Sequence, residues 1–292
     1  MILVSGATGL LGSEICRLLA TRGRPVRALV RATSNPEQVA RLKSLGVELV
    51  RGDLKDHASL DAACRHVSAV ISTATSIVSK QEGDSLDSVD RQGQIALVEA
   101  AAGSGVQHFV LVSFPPVDVA FPLQTAKRAV EERLRGSGMT YTILQPTCFA
   151  EVWLSPALGF DPLHAKAQIY GTGKNRISWI SFRDVAECAV AALDNPKAAN
   201  AVIRLGGPEA LSPSEVVHFA EQVRGKTFDV QYVPEEALWG QYHAASDPHQ
   251  QSFAGLMIYY SRGDVIDPKE ALDAFPDRQP RSIRDYLKAM MA

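Results

Sequence analysis

Ile2-Leu3-Val4-Ser5-Gly6-Ala7-Thr8-Gly9-Leu10-Leu11-Gly12 decides how this chain is read. A short apolar run, right for a buried strand, leads into glycines spaced GxxGxxG. Those glycines open an amphipathic stretch from about Leu11 to Arg22. Strand, glycine turn and helix in this order make a dinucleotide-binding loop. The first glycine permits the tight turn, the second lets a pyrophosphate approach the backbone, and the third lets helix and sheet pack closely. The first helical turn adds free amide hydrogens and a positive dipole end, both favourable to phosphate. Gly6, Thr8, Gly9, Leu10, Leu11 and Gly12 are therefore the expected pyrophosphate contacts.

Outward from this loop the first half alternates strand and helix. Strands are expected at residues 25–30, 47–50, 69–72, 109–113 and 140–144. Helices are expected at about 36–45, 89–102 and 125–135, the first started by Asn35 as cap and Pro36. Short apolar strands separated by helices predict an α/β fold with a doubly wound parallel sheet of Rossmann type. Residues 1–150 read as the NAD(P)-binding domain and 151–292 as a smaller α/β lobe forming a substrate lid. Residues 149–175 read as loop with short helical pieces. Ser212-Pro213-Ser214-Glu215 reads as a capping box starting a helix to about Arg224.

In such sheets ligands gather at the carboxyl ends of the strands. The second strand ends Val30-Arg31, where an NAD site would carry an acid for the ribose 2′-hydroxyl. A guanidinium there suits a 2′-phosphate, which predicts NADP(H). Asp53 and Leu54 after the third strand, and Thr73, Ala74 and Thr75 after the fourth, are further expected cofactor contacts.

Composition narrows the alternatives. The 292 residues carry 30 Lys and Arg against 32 Asp and Glu, with no basic excess for nucleic acid. Cys16, Cys64, Cys148 and Cys188 are far apart and offer no CxxC spacing, so neither a metal site nor a disulfide framework is expected. No run of 18 apolar residues predicts a membrane span, and nothing at the start reads as a signal peptide. The expected setting is the cytoplasm.

Gly6 to Gly12, Gly52-Asp53-Leu54, Lys127 with its helix, and Thr142-Ile143-Leu144-Gln145-Pro146 together resemble the atypical short-chain dehydrogenase/reductase superfamily. Ile180 to Ala186 and Leu205 to Glu209 extend the match, and its NmrA-like branch is the nearest. That branch includes isoflavone reductases, NADPH-dependent quinone reductases, a triphenylmethane reductase and dinucleotide-binding regulators. The resemblance implies cofactor contacts from Ser113, Lys127 and Pro146. It also exposes a departure. The superfamily's Tyr-x-x-x-Lys pair is here Leu123 and Lys127, and leucine moves no proton.

Lys127 remains the catalytic candidate, either holding the nicotinamide ribose or transferring a proton itself. A plain i,i+4 pair with Glu131 is the structural alternative. Phe114, Phe149, Trp153 and Tyr170 are the aromatic candidates for a substrate slot. The expected activity is hydride transfer from NADPH to a small, flat, electron-poor acceptor such as a quinone, dye or enone. The alternatives are an NADP(H)-sensing regulator acting on a protein partner, or an assembly subunit. A homodimer is compatible with each.

Overall fold

The computed structural model describes residues 1–78 and 81–291. Its elements in chain order begin β1 Ile2–Ser5, α1 Leu10–Thr21, β2 Val26–Val30, α2 Pro36–Ser44, β3 Glu48–Arg51, α3 His57–Cys64 and β4 Ala69–Ser72. A π-helical stretch, Leu86–Gly93, leads into α4 Gln94–Gly103, then β5 His108–Val112, α5 Pro122–Arg135 and β6 Thr140–Pro146. There follow α6 Ala150–Trp153, β7 Phe160–Asp161, β8 Lys166–Tyr170, α7 Phe182–Ala192, β9 Ala201–Leu205 and α8 Pro213–Arg224. The chain continues through β10 Asp229–Val233, α9 Glu235–Ala244, α10 Pro248–Arg262, α11 Pro268–Ala274 and α12 Ile283–Met291.

Two compact units result. One comprises Met1–Phe114, Pro122–Gln145 and Val185–Ile203, and the other Pro115–Phe121, Pro146–Asp184 and Arg204–Ala292. The chain passes from one unit to the other at Pro115, Pro122, Pro146, Val185 and Arg204.

The sheet of the first unit has the order β3-β2-β1-β4-β5-β6-β9. Strands β3 through β6 are paired in parallel, with Leu3 opposite both Arg27 and Val70. This is the doubly wound α/β arrangement expected from the alternation of elements. Strand order reverses between β1 and β4, so the crevice of the sheet opens there. All residues of β1 and β4 are buried, as suits strands covered on both faces. Leu3, Leu60, Leu97, Phe109, Leu111, Leu134 and Ile143 anchor the core of this unit.

The helix expected from residue 89 instead begins at Leu86, and its first eight residues are π-helical. Ser85 and Ser88 cap it reciprocally at 2.9 and 3.0 Å. The helix α3, capped by Asp56, went unpredicted because His57 to Cys64 is too short to show a clear period. The loop expected at 149–175 contains β7 and β8, which join β10 in a three-stranded sheet, β10-β8-β7. Two residues are too few to read as a strand, and β8 pairs with a partner some sixty residues later, Lys166 opposite Asp229. The capping box at Ser212 and Glu215 forms in both directions.

His108 begins β5 and places Nε2 2.9 Å from the Thr142 hydroxyl, which donates to the Ala198 carbonyl at 2.7 Å. Burial pushes its imidazole below the ordinary 6.5, against the opposing pull of the Leu193 backbone and Asp194. A depressed pKa means the unfolded chain binds this proton more readily. The contribution is therefore present above about pH 6.5 and lost as pH falls below it. Unfolding midpoints measured across that range should fall more steeply for the native chain than for His108→Gln.

Candidate active site

Gly6 stands where β1 ends, at φ +77°. A side chain there would meet Thr73 Oγ1 at 2.6 Å and Ala74 N at 2.8 Å, so the loop lies directly on the end of β4. Thr73 ties the two strands by donating from N and from Oγ1 to the Ser5 carbonyl, at 3.0 and 3.1 Å. A Cβ on Gly12 would lie 2.2 Å from the Gly6 carbonyl oxygen, which explains the third glycine as a packing requirement. Gly9 differs, since the nearest atom to its Cβ is the Gly6 oxygen at 3.2 Å and otherwise the space is open.

Helix α1 starts at Gly9 with no side-chain cap and no acidic residue in its first turn. Asn35, Ser212 and Asp247 cap α2, α8 and α10 with their side chains. An uncapped helix start above an open glycine, at the reversal of strand order, fits a bound pyrophosphate. Thr8 is half-buried beside it. Leu10 is 48% exposed, whereas Leu11 belongs to the core and can offer only its backbone.

Arg31 follows β2 and pairs through Nη1 with Asp84 Oδ2 at 2.7 Å. Lys55 Nζ reaches Asp84 Oδ1, also at 2.7 Å. Asp53 forms the turn before Lys55 by accepting its amide at 2.9 Å, and Leu54 is buried in the core.

Lys127 is buried, its side chain 7% exposed. Its ammonium does not pair with Glu131. It lies 3.5 Å from Asp90 Oδ1 and 3.4 Å from the Ala74 carbonyl. Glu131 turns elsewhere, accepting from Gln145 at 3.0 Å and pairing with Arg128 at 3.1 Å. Asp90 Oδ2 accepts from Ser76 N and Oγ at 2.8 and 2.6 Å. Its Oδ1 has no hydrogen-bond partner among the described residues, so Lys127 supplies its compensating charge. Gln94 donates to the same Ala74 carbonyl at 2.7 Å and accepts from Ser72 Oγ. The expected contacts at Thr73 and Ala74 and the expected lysine are thus brought together. Thr75 is exposed one residue on.

Asp90, Ser76 and Gln94 are not among the residues the sequence singles out. Asp90 sits in the π-helical stretch, where i→i+5 winding sets side-chain directions that an α-helical period does not describe.

Leu123 lies one turn before Lys127 on α5 and is buried, so an apolar side chain stands where a tyrosine would carry the acid. Ser113 Oγ accepts from Arg128 Nη2 at 3.0 Å, and the Arg128 guanidinium lies 5.4 Å from the Phe114 ring. Burial lowers the Arg128 pKa, opposed by Glu131. Pro146 closes β6.

In the second unit Trp153 stacks on Tyr260 at 4.9 Å between centroids, and Tyr170 meets the same ring edge-on at 5.7 Å. Burial pushes the Tyr170 hydroxyl upward. Phe149 is half-buried and starts α6.

The chain is similar to an NAD(P)H azoreductase from Xenophilus azovorans, 34% identical with 95% of this chain and 88% of the relative covered. It is also similar to the photosystem II assembly factor Ycf39 of Trieres chinensis, 31% identical over 80% of this chain and 72% of that protein. The solved triphenylmethane reductase of Citrobacter sp., complexed with NADP(H), shares the fold at a TM-score of 0.79. It has 20% identity, with 100% of both chains covered. The NmrA-like family model matches residues 1–287, from β1 into α12, and so covers parts of both units. By that match, and by relatives above 30% identity along most of its length, the chain belongs to the NmrA-like family.

Proposed function

We propose that this protein is an NADPH-dependent reductase of small, flat, electron-poor acceptors such as quinones, dyes or enones. The observation carrying this reading is a buried ammonium, Lys127, at the carboxyl end of β4, in the same unit as the uncapped start of α1. Gly6, Gly9, Gly12 and the amides at the start of α1 would hold the pyrophosphate, with Thr73 and Ala74 beside them. Arg31 would meet the 2′-phosphate. When bound, the dinucleotide supplies a hydride.

Lys127 would orient the nicotinamide ribose and keep a proton close to the acceptor. Asp90 fixes the lysine, and Ser76 and Gln94 fix Asp90 and the Ala74 carbonyl. No tyrosine is required, because an electron-poor acceptor gains stability on taking a hydride, and the single proton that a neutral acceptor then needs can come from Lys127 or from water. The protein's part is orientation and exclusion of solvent. Phe114, in the same unit as Lys127, is the proposed acceptor-facing aromatic. One relative is, by its name, an NAD(P)H azoreductase, which supports this reading.

Leu123 and the assembly-factor relative favour a second reading, a dinucleotide-binding sensor or assembly subunit with a protein partner. One experiment separates the two. Purified protein is titrated with NADPH and then assayed for its oxidation against a panel of quinones, cationic dyes, azo dyes and enones. Steady turnover of at least one class is the expected result. Tight NADPH binding with no oxidation across the panel would give the sensor reading the better claim.

A further inference from the structure

The end of β2 carries a constellation that cofactor binding alone does not explain. Asp84, with a side chain only 2% exposed, bridges Arg31 and Lys55 at 2.7 Å each. Arg31 and Lys55 are about one-third exposed, so both cations face solvent while the carboxylate between them does not. The segment bearing Asp84 is fastened a second time, Thr33 Oγ1 donating to Gln81 Oε1 at 2.5 Å. Two cations converge on this carboxylate, and Asp53 Oδ2 lies 3.9 Å from Lys55, so the chain's own carboxylates occupy a place where a dianion would fit.

We propose that Asp84 is an internal competitor for the cofactor's 2′-phosphate, which must displace it from Arg31 and Lys55. This rests on the reading that Arg31 receives that phosphate. Asp84 thereby sets how strongly the protein prefers NADP(H) over NAD(H), and Lys55 is the second cation of the phosphate site. The balance is electrostatic. A phosphate near −2 between two cations gains more than a carboxylate, but pays for the pairs it breaks and for the carboxylate left nearby. A dinucleotide lacking the phosphate leaves the bridge intact and is indifferent to Asp84.

Calorimetric titration with adenosine 2′,5′-bisphosphate and adenosine 5′-monophosphate tests this without turnover. Asp84→Asn keeps the shape and removes the charge. It should raise the preference for the bisphosphate by about tenfold, the low end for a charge-assisted contact. Affinity for the monophosphate should stay within about twofold, a change worth less than half of one charge-assisted contact. Lys55→Gln should lower the preference several-fold, and it tests the proposal even if Asp84→Asn folds poorly. A native preference that Asp84→Asn leaves unchanged or weakens would overturn the competitor and leave the Arg31 reading standing. An unchanged preference in Lys55→Gln would likewise overturn the site. No preference in the native chain or in Asp84→Asn would remove both readings together.

Discussion

Replacing Lys127 by methionine should damage the protein twice, and the two effects can be separated. Asp90 has no hydrogen bond at Oδ1 among the described residues, so removing the lysine leaves the charge of a fully buried carboxylate uncompensated. Breaking a buried pair from one side costs about 3–5 kcal/mol. If the lysine also serves the reaction, kcat should fall by about 10²–10⁴. The double variant Lys127→Met with Asp90→Asn removes the stranded charge, and should recover most of the stability while turnover stays lost. Denaturant unfolding and steady-state turnover on the same samples decide it. A double variant as unstable as the single one would show that the pair does not hold the site together. Full turnover in either variant would remove Lys127 from the chemistry.

The glycine loop should split cleanly into folding and binding. Gly12→Ala sets a methyl 2.2 Å from a backbone oxygen in a turn that cannot move aside. Overpacking of this kind costs about 1–3 kcal/mol and more where backbone meets backbone, so a strongly lowered unfolding midpoint is expected. Gly9→Val meets only the Gly6 oxygen at 3.2 Å and otherwise open space. It should fold with a midpoint much nearer the native one than that of Gly12→Ala and bind no measurable NADPH, because the valine fills the room a pyrophosphate needs. Native NADPH affinity in a folded Gly9→Val protein would show that this loop does not hold the cofactor.

A feature of this fold is legible in the sequence to the extent that it is local. The glycine loop, the alternating elements and the cap at Asn35 are specified within a few residues, and they appear as expected. Lys127 was singled out, but its partner was not. Asp90 lies among Asp87, Arg91 and Gln92, and a polar run in a helix reads as a solvated face. Asp84 lies 53 residues from Arg31 in a Gly-Asp-Ser turn, with nothing local to announce an ion pair. The sequence alone suggests a slot of aromatics. Trp153 and Tyr170 converge on Tyr260, a residue outside the expected set, because aromatic rings far apart in sequence gather wherever apolar area is buried.

The π-helical stretch means that the partnership of Lys127 with Asp90 depends on a residue count as much as on residue identity. Each residue of an α-helix turns the next by about 100°. Shortening the run before Gly93 by one residue would restore ordinary winding and swing the carboxylate about that far around the axis, with every side chain unchanged. Two relatives could share the lysine and the aspartate and still differ in whether the two meet. A single-residue insertion or deletion in this run is therefore a low-cost route by which descent could switch this site on or off.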